Sequence, residues 1–191
     1  MLIVLNLCLI SCSQNVSIGS VEESSNSVQE VTSQTLTYCR INLIDGIQYE
    51  IPLDWQTYEE TNRVYHYFND EDYLMVSSVT TEFSKDTDQT LTDKCADALI
   101  ETFKEYPNFL LETDCISNID GAYCRKISCS YTNESNQNVV ERGIVFSIGG
   151  VVYSFDYVSL SNQKKNYEDF RRIIGSIIIS PDCYSLVDFA F

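Results

Sequence analysis

The stretch VVERGIVFSIGGVVYSFDYVS, residues 139–159, decides the fold class. Gly149-Gly150 at its centre supplies the positive φ that a two-residue hairpin needs, and the flanking residues alternate in the manner of strands. A turn there sets Ile148 opposite Val151, Phe146 opposite Tyr153 and Ile144 opposite Phe155 on one face. The other face carries Ser147, Ser154 and Asp156, so the spacing predicts a half-buried antiparallel pair, 139–148 with 151–159.

The same turn chemistry recurs on the N-terminal side. Asp120-Gly121 is expected to join 109–119 to 122–131, and Asp45-Gly46 to join 38–44 to 47–52. A looser turn at Asn69-Asp70-Glu71-Asp72, read as solvated, joins 64–68 to 73–81. Two segments carry the helical period instead. Over 88–106, Leu91, Cys95, Ala98, Leu99, Thr102, Phe103 and Tyr106 fall on one stripe, with Asp88 or Thr90 as N-cap and Pro107 as the stop. Over 162–178 the stripe is Tyr167, Phe170, Ile173, Ile174 and Ile177, and Pro181 follows. The order implies an α+β fold with a mainly antiparallel sheet flanked by two helices.

The chain has 191 residues, 12 Lys plus Arg against 28 Asp plus Glu, and a net charge of −16. Such a surface repels nucleic acid, which is therefore not an expected partner. Residues 1–11 form an apolar run too short to span a bilayer and read as an export signal. Residues 13–35 hold seven Ser, three Glu and no aromatic residue, the composition of a flexible tether. The folded part is assigned to 36–191, with the tail 183–191 packing back on the sheet.

Leu9-Ile10-Ser11-Cys12 resembles the lipobox of bacterial lipoproteins: a branched apolar residue, a small residue, then the cysteine. The resemblance implies cleavage before Cys12 and acylation of its thiol, with 12–35 as lipidated cysteine and tether. No Lys or Arg precedes Arg40, a departure from the usual positive start that leaves room for residues upstream of Met1. The opening Asp-Gly-Ile-Gln-Tyr-Glu-Ile-Pro-Leu-Asp-Trp (45–55), followed by strands, a long helix, the Asp-Gly hairpin, a strand pair and a last amphipathic helix, resembles the PsbP-like α/β/α sandwich over about 36–180. That family includes an extrinsic photosystem protein, a Ran-binding import factor and many bacterial lipoproteins. The resemblance implies a binding or accessory module and carries over no catalytic residue.

Six cysteines remain in the domain: Cys39, Cys95, Cys115, Cys124, Cys129 and Cys183. Cys124 and Cys129 lie an odd number of residues apart on one strand and face opposite ways, and Cys115 lies diagonal to Cys124. Free buried thiols are the expectation for Cys95 and Cys129, and disulfides elsewhere stay open. With one histidine and no Cys-x-x-Cys, no zinc site is expected.

His66 sits in Val-Tyr-His-Tyr-Phe, where it reads as a half-exposed strand residue, and no Gly-x-Ser-x-Gly elbow accompanies it. The cluster Asp86, Asp88, Asp93 has Leu91 where a calcium loop needs glycine, so no metal is expected. The candidate binding groove comprises Tyr65, His66, Tyr67 and Tyr73, with Phe68 beside them, suited to a peptide, glycan or lipid. The sequence therefore reads as an exported monomer, anchored through acylated Cys12 to the outer face of the membrane, without cofactor, that engages an envelope protein, peptide or glycan. The alternative is an exported hydrolase-like enzyme with a cleft of His66 and nearby carboxylates.

Overall fold

The computed structural model describes residues 38–42, 46–60, 63–68, 71–80, 86–160 and 164–180. The readings that concern 1–35 (signal, Cys12, tether) and 183–191 lie outside the described residues. Among the described residues the chain runs β1 (Tyr38–Asn42), β2 (Ile47–Pro52), β3 (Gln56–Glu60), β4 (Arg63–Tyr67), β5 (Asp72–Thr80) and α1 (Asp88–Phe103). It continues through β6 (Leu110–Ile119), β7 (Ala122–Thr132), β8 (Asn138–Ile148), β9 (Val151–Ser159), α2 (Lys164–Gly175) and β10 (Ile178–Ile179). The large sheet has the order β3-β4-β5-β9-β8-β7-β6, every neighbouring pair antiparallel, and β1-β2-β10 form a second sheet. The α+β class is confirmed.

Hairpin chemistry sets most of the register. Ile148 pairs with Val151, Phe146 with Tyr153 and Ile144 with Phe155, as the Gly149-Gly150 turn requires. Asp120 (φ 45°) and Gly121 (φ 89°) close the β6–β7 hairpin with Ile119 opposite Ala122. The β1–β2 pair departs from the expected two-residue turn: Asn42 pairs with Gln48, one residue out of the register that Asp45-Gly46 alone would impose.

The β8–β9 pair is buried on both faces. Phe146, Tyr153 and Phe155 pack under α2 and the small sheet, while Val145, Val152 and Ile127 pack under Leu91, Ala96 and Ile100 of α1. Ser147 and Asp156, assigned to a solvated face, are 3% and 1% exposed. The correction has a simple cause: β8 and β9 are central strands, and α1 lies on the face that carries their polar residues.

Both helices depart from their predicted spans. α1 buries Leu91, Thr92, Ala96, Ile100 and Phe103, whereas Ala98 and Thr102 are exposed. Thr92 tolerates burial because its hydroxyl donates to the Asp88 carbonyl at 2.8 Å. The N-cap is Thr87, whose hydroxyl accepts from the Thr90 amide at 3.2 Å. Asp88 instead reaches the β8–β9 turn, accepting from the Gly149 and Gly150 amides at 3.1 and 3.2 Å. α2 ends at Gly175, and the chain that follows pairs with β2 through Ile178 and Ile179. Ile179 N–H donates to Asp120 Oδ2 at 2.7 Å, tying this strand to the β6–β7 turn. No described helix is long and apolar enough to cross a membrane.

Candidate functional site

α1 packs mainly on β7 and β8 and at its margin on β9, and Tyr73 of β5 packs at the edge of the cluster that holds Phe103 of α1. The sheet therefore extends past its helix on that face, and alternation places tyrosines at that margin. Register defines the rows across it. One row runs Tyr67, Tyr73, Val158, Glu141, Cys129 from β4 to β7, and the next runs Tyr58, Tyr65, Met75, Asp156, Gly143, Ile127 from β3 to β7.

Tyr65, Tyr67 and Tyr73 meet as a triad. Their ring centroids lie 6.0 Å (65–67), 6.1 Å (65–73) and 5.5 Å (67–73) apart. All three are half-buried, and Tyr58 on the edge strand stands 57% exposed beside them. Burial and the acidic surroundings push the Tyr73 phenol up to about 12, with the charges of Glu141 and Asp156 among the causes. Tyr67 is shifted the same way by burial, the neighbouring Tyr65 and Glu60.

Behind the triad lie two buried carboxyl groups that sequence reasoning missed. Glu141 and Asp156 sit diagonally on β8 and β9, at 6% and 1% exposure. Tyr131 donates its hydroxyl to Glu141 Oε2 at 2.9 Å, and Ser154 donates to Asp156 Oδ2 at 2.7 Å. Asp156 Oδ1 has no hydrogen-bond partner among the described residues. Burial raises the proton affinity of both, and for Glu141 the charge of Asp156 adds to it. Gly143, opposite Asp156, leaves the space that Oδ1 fills, since a Cβ there would press on that atom. An acidic residue and a glycine inside two apolar strands were the available signal, and the assumption of a solvated face obscured it.

His66 is not part of this surface. Alternation along β4 turns it to the opposite face, where it is fully buried. Its Nε2 lies 2.8 Å from the Tyr49 hydroxyl and its Nδ1 lies 3.0 Å from Thr57 Oγ1. Burial lowers its pKa to about 4, so the ring is neutral and enclosed. The expectation of a half-exposed histidine, and of a groove or hydrolytic cleft containing it, is corrected by the extra layer of β1-β2-β10 on that side. Phe68 likewise turns to that layer and packs near Trp55, ring centroids 6.2 Å apart.

The remaining candidates resolve structurally. Asp72 is not in a solvated turn: it opens β5, is fully buried, and accepts from Ser159 Oγ at 2.6 Å. Asp86 pairs with Lys94, while Asp93 joins Asp97 and Asp114 around Arg125. No cluster of the described residues has the make-up of a metal site. Cys95, Cys115, Cys124 and Cys129 are free thiols, with Cys124 and Cys129 in different core clusters on opposite faces.

Comparison with solved structures finds the same fold at low identity. LpqN, involved in cell envelope biogenesis of Mycobacterium tuberculosis, is 13% identical with a TM-score of 0.54, covering 75% of this chain and 91% of its own. Cyanobacterial PsbP from Synechocystis sp. PCC 6803 is 13% identical with a TM-score of 0.53, covering 81% and 98%. The Saccharomyces cerevisiae Ran-binding protein Mog1p is 9% identical with a TM-score of 0.50, covering 76% and 96%. Comparison with curated proteins finds no match. A family profile described as PsbP-like protein matches residues 2–180. With that match over nearly the whole length and a seven-stranded antiparallel sheet between two helices, the chain belongs to the PsbP-like protein family.

Proposed function

We propose that this protein is an extracytoplasmic, lipid-anchored accessory module that binds a cationic segment of an envelope protein on its tyrosine face. One observation carries the binding role: three contiguous, half-buried tyrosines stand on β4 and β5 at the margin of the area that α1 covers, with Glu141 and Asp156 behind them. Aromatic faces attract cations through the ring quadrupole, each contact worth roughly 0.5–2 kcal/mol, and a chain of net charge −16 adds long-range attraction. The same charge favours a basic peptide over a neutral glycan. His66 offers no substrate a base, so the geometry favours this reading over a hydrolase.

The anchor is argued from sequence order: an apolar run, Leu9-Ile10-Ser11-Cys12, a serine-rich tether, then the domain. Two acyl chains on Cys12 hold a protein stably at a bilayer, where one chain is marginal. A tether of 23 residues (13–35) reaches roughly 25–30 Å as a flexible coil. The envelope role of LpqN, a protein of the same fold, supports the location.

The test uses the full chain in a bacterial host. Membrane fractionation and intact mass should show a chain beginning at lipid-modified Cys12, and Cys12→Ala should be soluble; an unmodified N-terminus on a soluble wild type overturns the anchor. For the tyrosine face, deca-lysine should bind the purified protein and Tyr67→Ala should weaken it roughly fivefold. Equal binding by the variant, or equal binding of deca-glutamate, overturns the cationic partner.

A further inference from the structure

A cleft of about 750 Å³ opens on the other face of the large sheet, between α2 and the β6–β7 hairpin. Its origin is a mismatch of coverage: α2 packs over β2 and β9, and the hairpin extends beyond the helix. The floor is the row Cys115, Lys126, Ile144 and the neighbouring Thr113, Ser128, Arg142. The wall is the flank of α2, where Tyr167, Arg171 and Ile174 recur at helical spacing beside the buried stripe of Phe170, Ile173 and Ile177.

Three cations, Lys126, Arg142 and Arg171, line this one cleft, in a chain with 12 Lys and Arg in all. Outside the cleft Arg40 pairs with Glu50, Lys94 with Asp86, Lys104 with Glu101, and Arg125 with Asp93, Asp97 and Asp114, while Arg172 lies over the Tyr38 ring at 3.6 Å. Lys126 and Arg171 make no ion pair with any described residue, although acids outnumber bases 28 to 12. Arg142 lies over the Tyr167 ring at 4.5 Å, which holds its guanidinium against the α2 wall. The lining also holds two acidic residues, Glu112, which accepts from Ser128 Oγ at 3.0 Å, and Asp120, which accepts from Ile179 N–H, and neither is ion-paired to the three cations. Three cations against two acids leave the lining with an excess of positive charge, in a strongly acidic chain, that an anion would complement.

We infer that this cleft binds a small organic anion, a phosphate ester or carboxylate held by Lys126, Arg142 and Arg171, with its apolar body against Tyr167 and Ile174. The volume falls in the usual range for small-molecule sites, and the lining sets charged and polar side chains of the sheet beside the apolar flank of α2. Lys126 on the sheet floor and Arg171 on the α2 wall supply the charge, and Arg142, stacked on Tyr167, adds a third cation beside the wall. The inference stands apart from the tyrosine face and the lipid anchor, and its test reads neither.

The experiment titrates the full chain with phenyl phosphate, inorganic phosphate and benzyl alcohol while following backbone amide shifts. Phenyl phosphate is expected to move amides of β6, β7, β8 and α2, to bind more tightly than inorganic phosphate, and to weaken as salt rises. Benzyl alcohol is expected not to bind. Lys126→Gln and Arg171→Gln change exposed side chains and are expected to preserve the fold while raising Kd roughly fivefold to tenfold each. Unchanged Kd in both variants, equal binding of benzyl alcohol, inorganic phosphate binding as tightly as its ester, or no binding at millimolar phenyl phosphate overturns the proposal.

Discussion

His66→Gln should remove most of the protein's loss of stability between pH 7.5 and pH 5. The wild-type imidazole is fully buried, accepts or donates only to the Tyr49 and Thr57 hydroxyls, and has its pKa lowered to about 4 by burial. In the unfolded chain its pKa returns to about 6.5. The unfolded state therefore binds a proton that the native state refuses, and the stability gained by a neutral ring is complete above about pH 6.5 and is lost as pH falls toward 4. With those two values the histidine should contribute about 2 kcal/mol to the difference between pH 7.5 and pH 5. Gln retains a hydrogen-bonding amide and cannot charge. Urea unfolding of wild type and variant at both pH values gives the comparison, and the carboxyl groups common to both proteins cancel. Because the chain has one histidine, its ring proton resonance in NMR can be followed without assignment ambiguity. Parallel losses in the two proteins, or a ring that titrates near pH 6.5 in the folded state, would refute the reasoning.

Glu141→Gln should act in the opposite direction of pH. Burial and Asp156 raise the native proton affinity of Glu141, so its neutral form contributes stability below the unfolded carboxyl pKa that is lost as pH rises through the native value. The variant should gain on wild type from pH 6 to pH 9 in urea unfolding, and a constant gap would contradict the assignment. Gly143→Ala should destabilise by about 1–3 kcal/mol, because the new methyl meets Asp156 Oδ1 inside a closed layer, and an Asp156→Ala background should remove most of that cost. Thermal unfolding of the two single variants and the double variant measures the coupling. Among the described cysteines, Cys115 alone is exposed and should react with an aromatic disulfide reagent at once, whereas buried Cys124 and Cys129 should wait for unfolding. Equal rates for all three in native buffer would place the β6–β7 hairpin wrongly.

Local chemistry made much of the fold legible. Gly149-Gly150 and Asp120-Gly121 set two registers because a two-residue turn leaves the strands no freedom to slip. The edge strand β3 was missed since its residues QTYEE are all exposed and show no apolar alternation. The small strand β10 was absorbed into α2, because Ile177, Ile178 and Ile179 extend an apolar pattern and only β2 decides that they pair as a strand. Of the candidate groove, Tyr65, Tyr67 and Tyr73 share a surface and His66 does not, a division set by alternation once β4 is central enough for both its faces to matter.

The amino-acid order by itself determined the antiparallel hairpins, the two amphipathic helices, the acidic balance and the family, all of which rest on neighbours in sequence or on totals. Tertiary structure alone decided which polar residues were to be buried and where surface was left over. Ser147 and Asp156 look solvated until α1 is laid across them. The tyrosine face and the cationic cleft exist because each helix covers fewer strands than the sheet contains, and the relative extent of layers is written in no local stretch of chain.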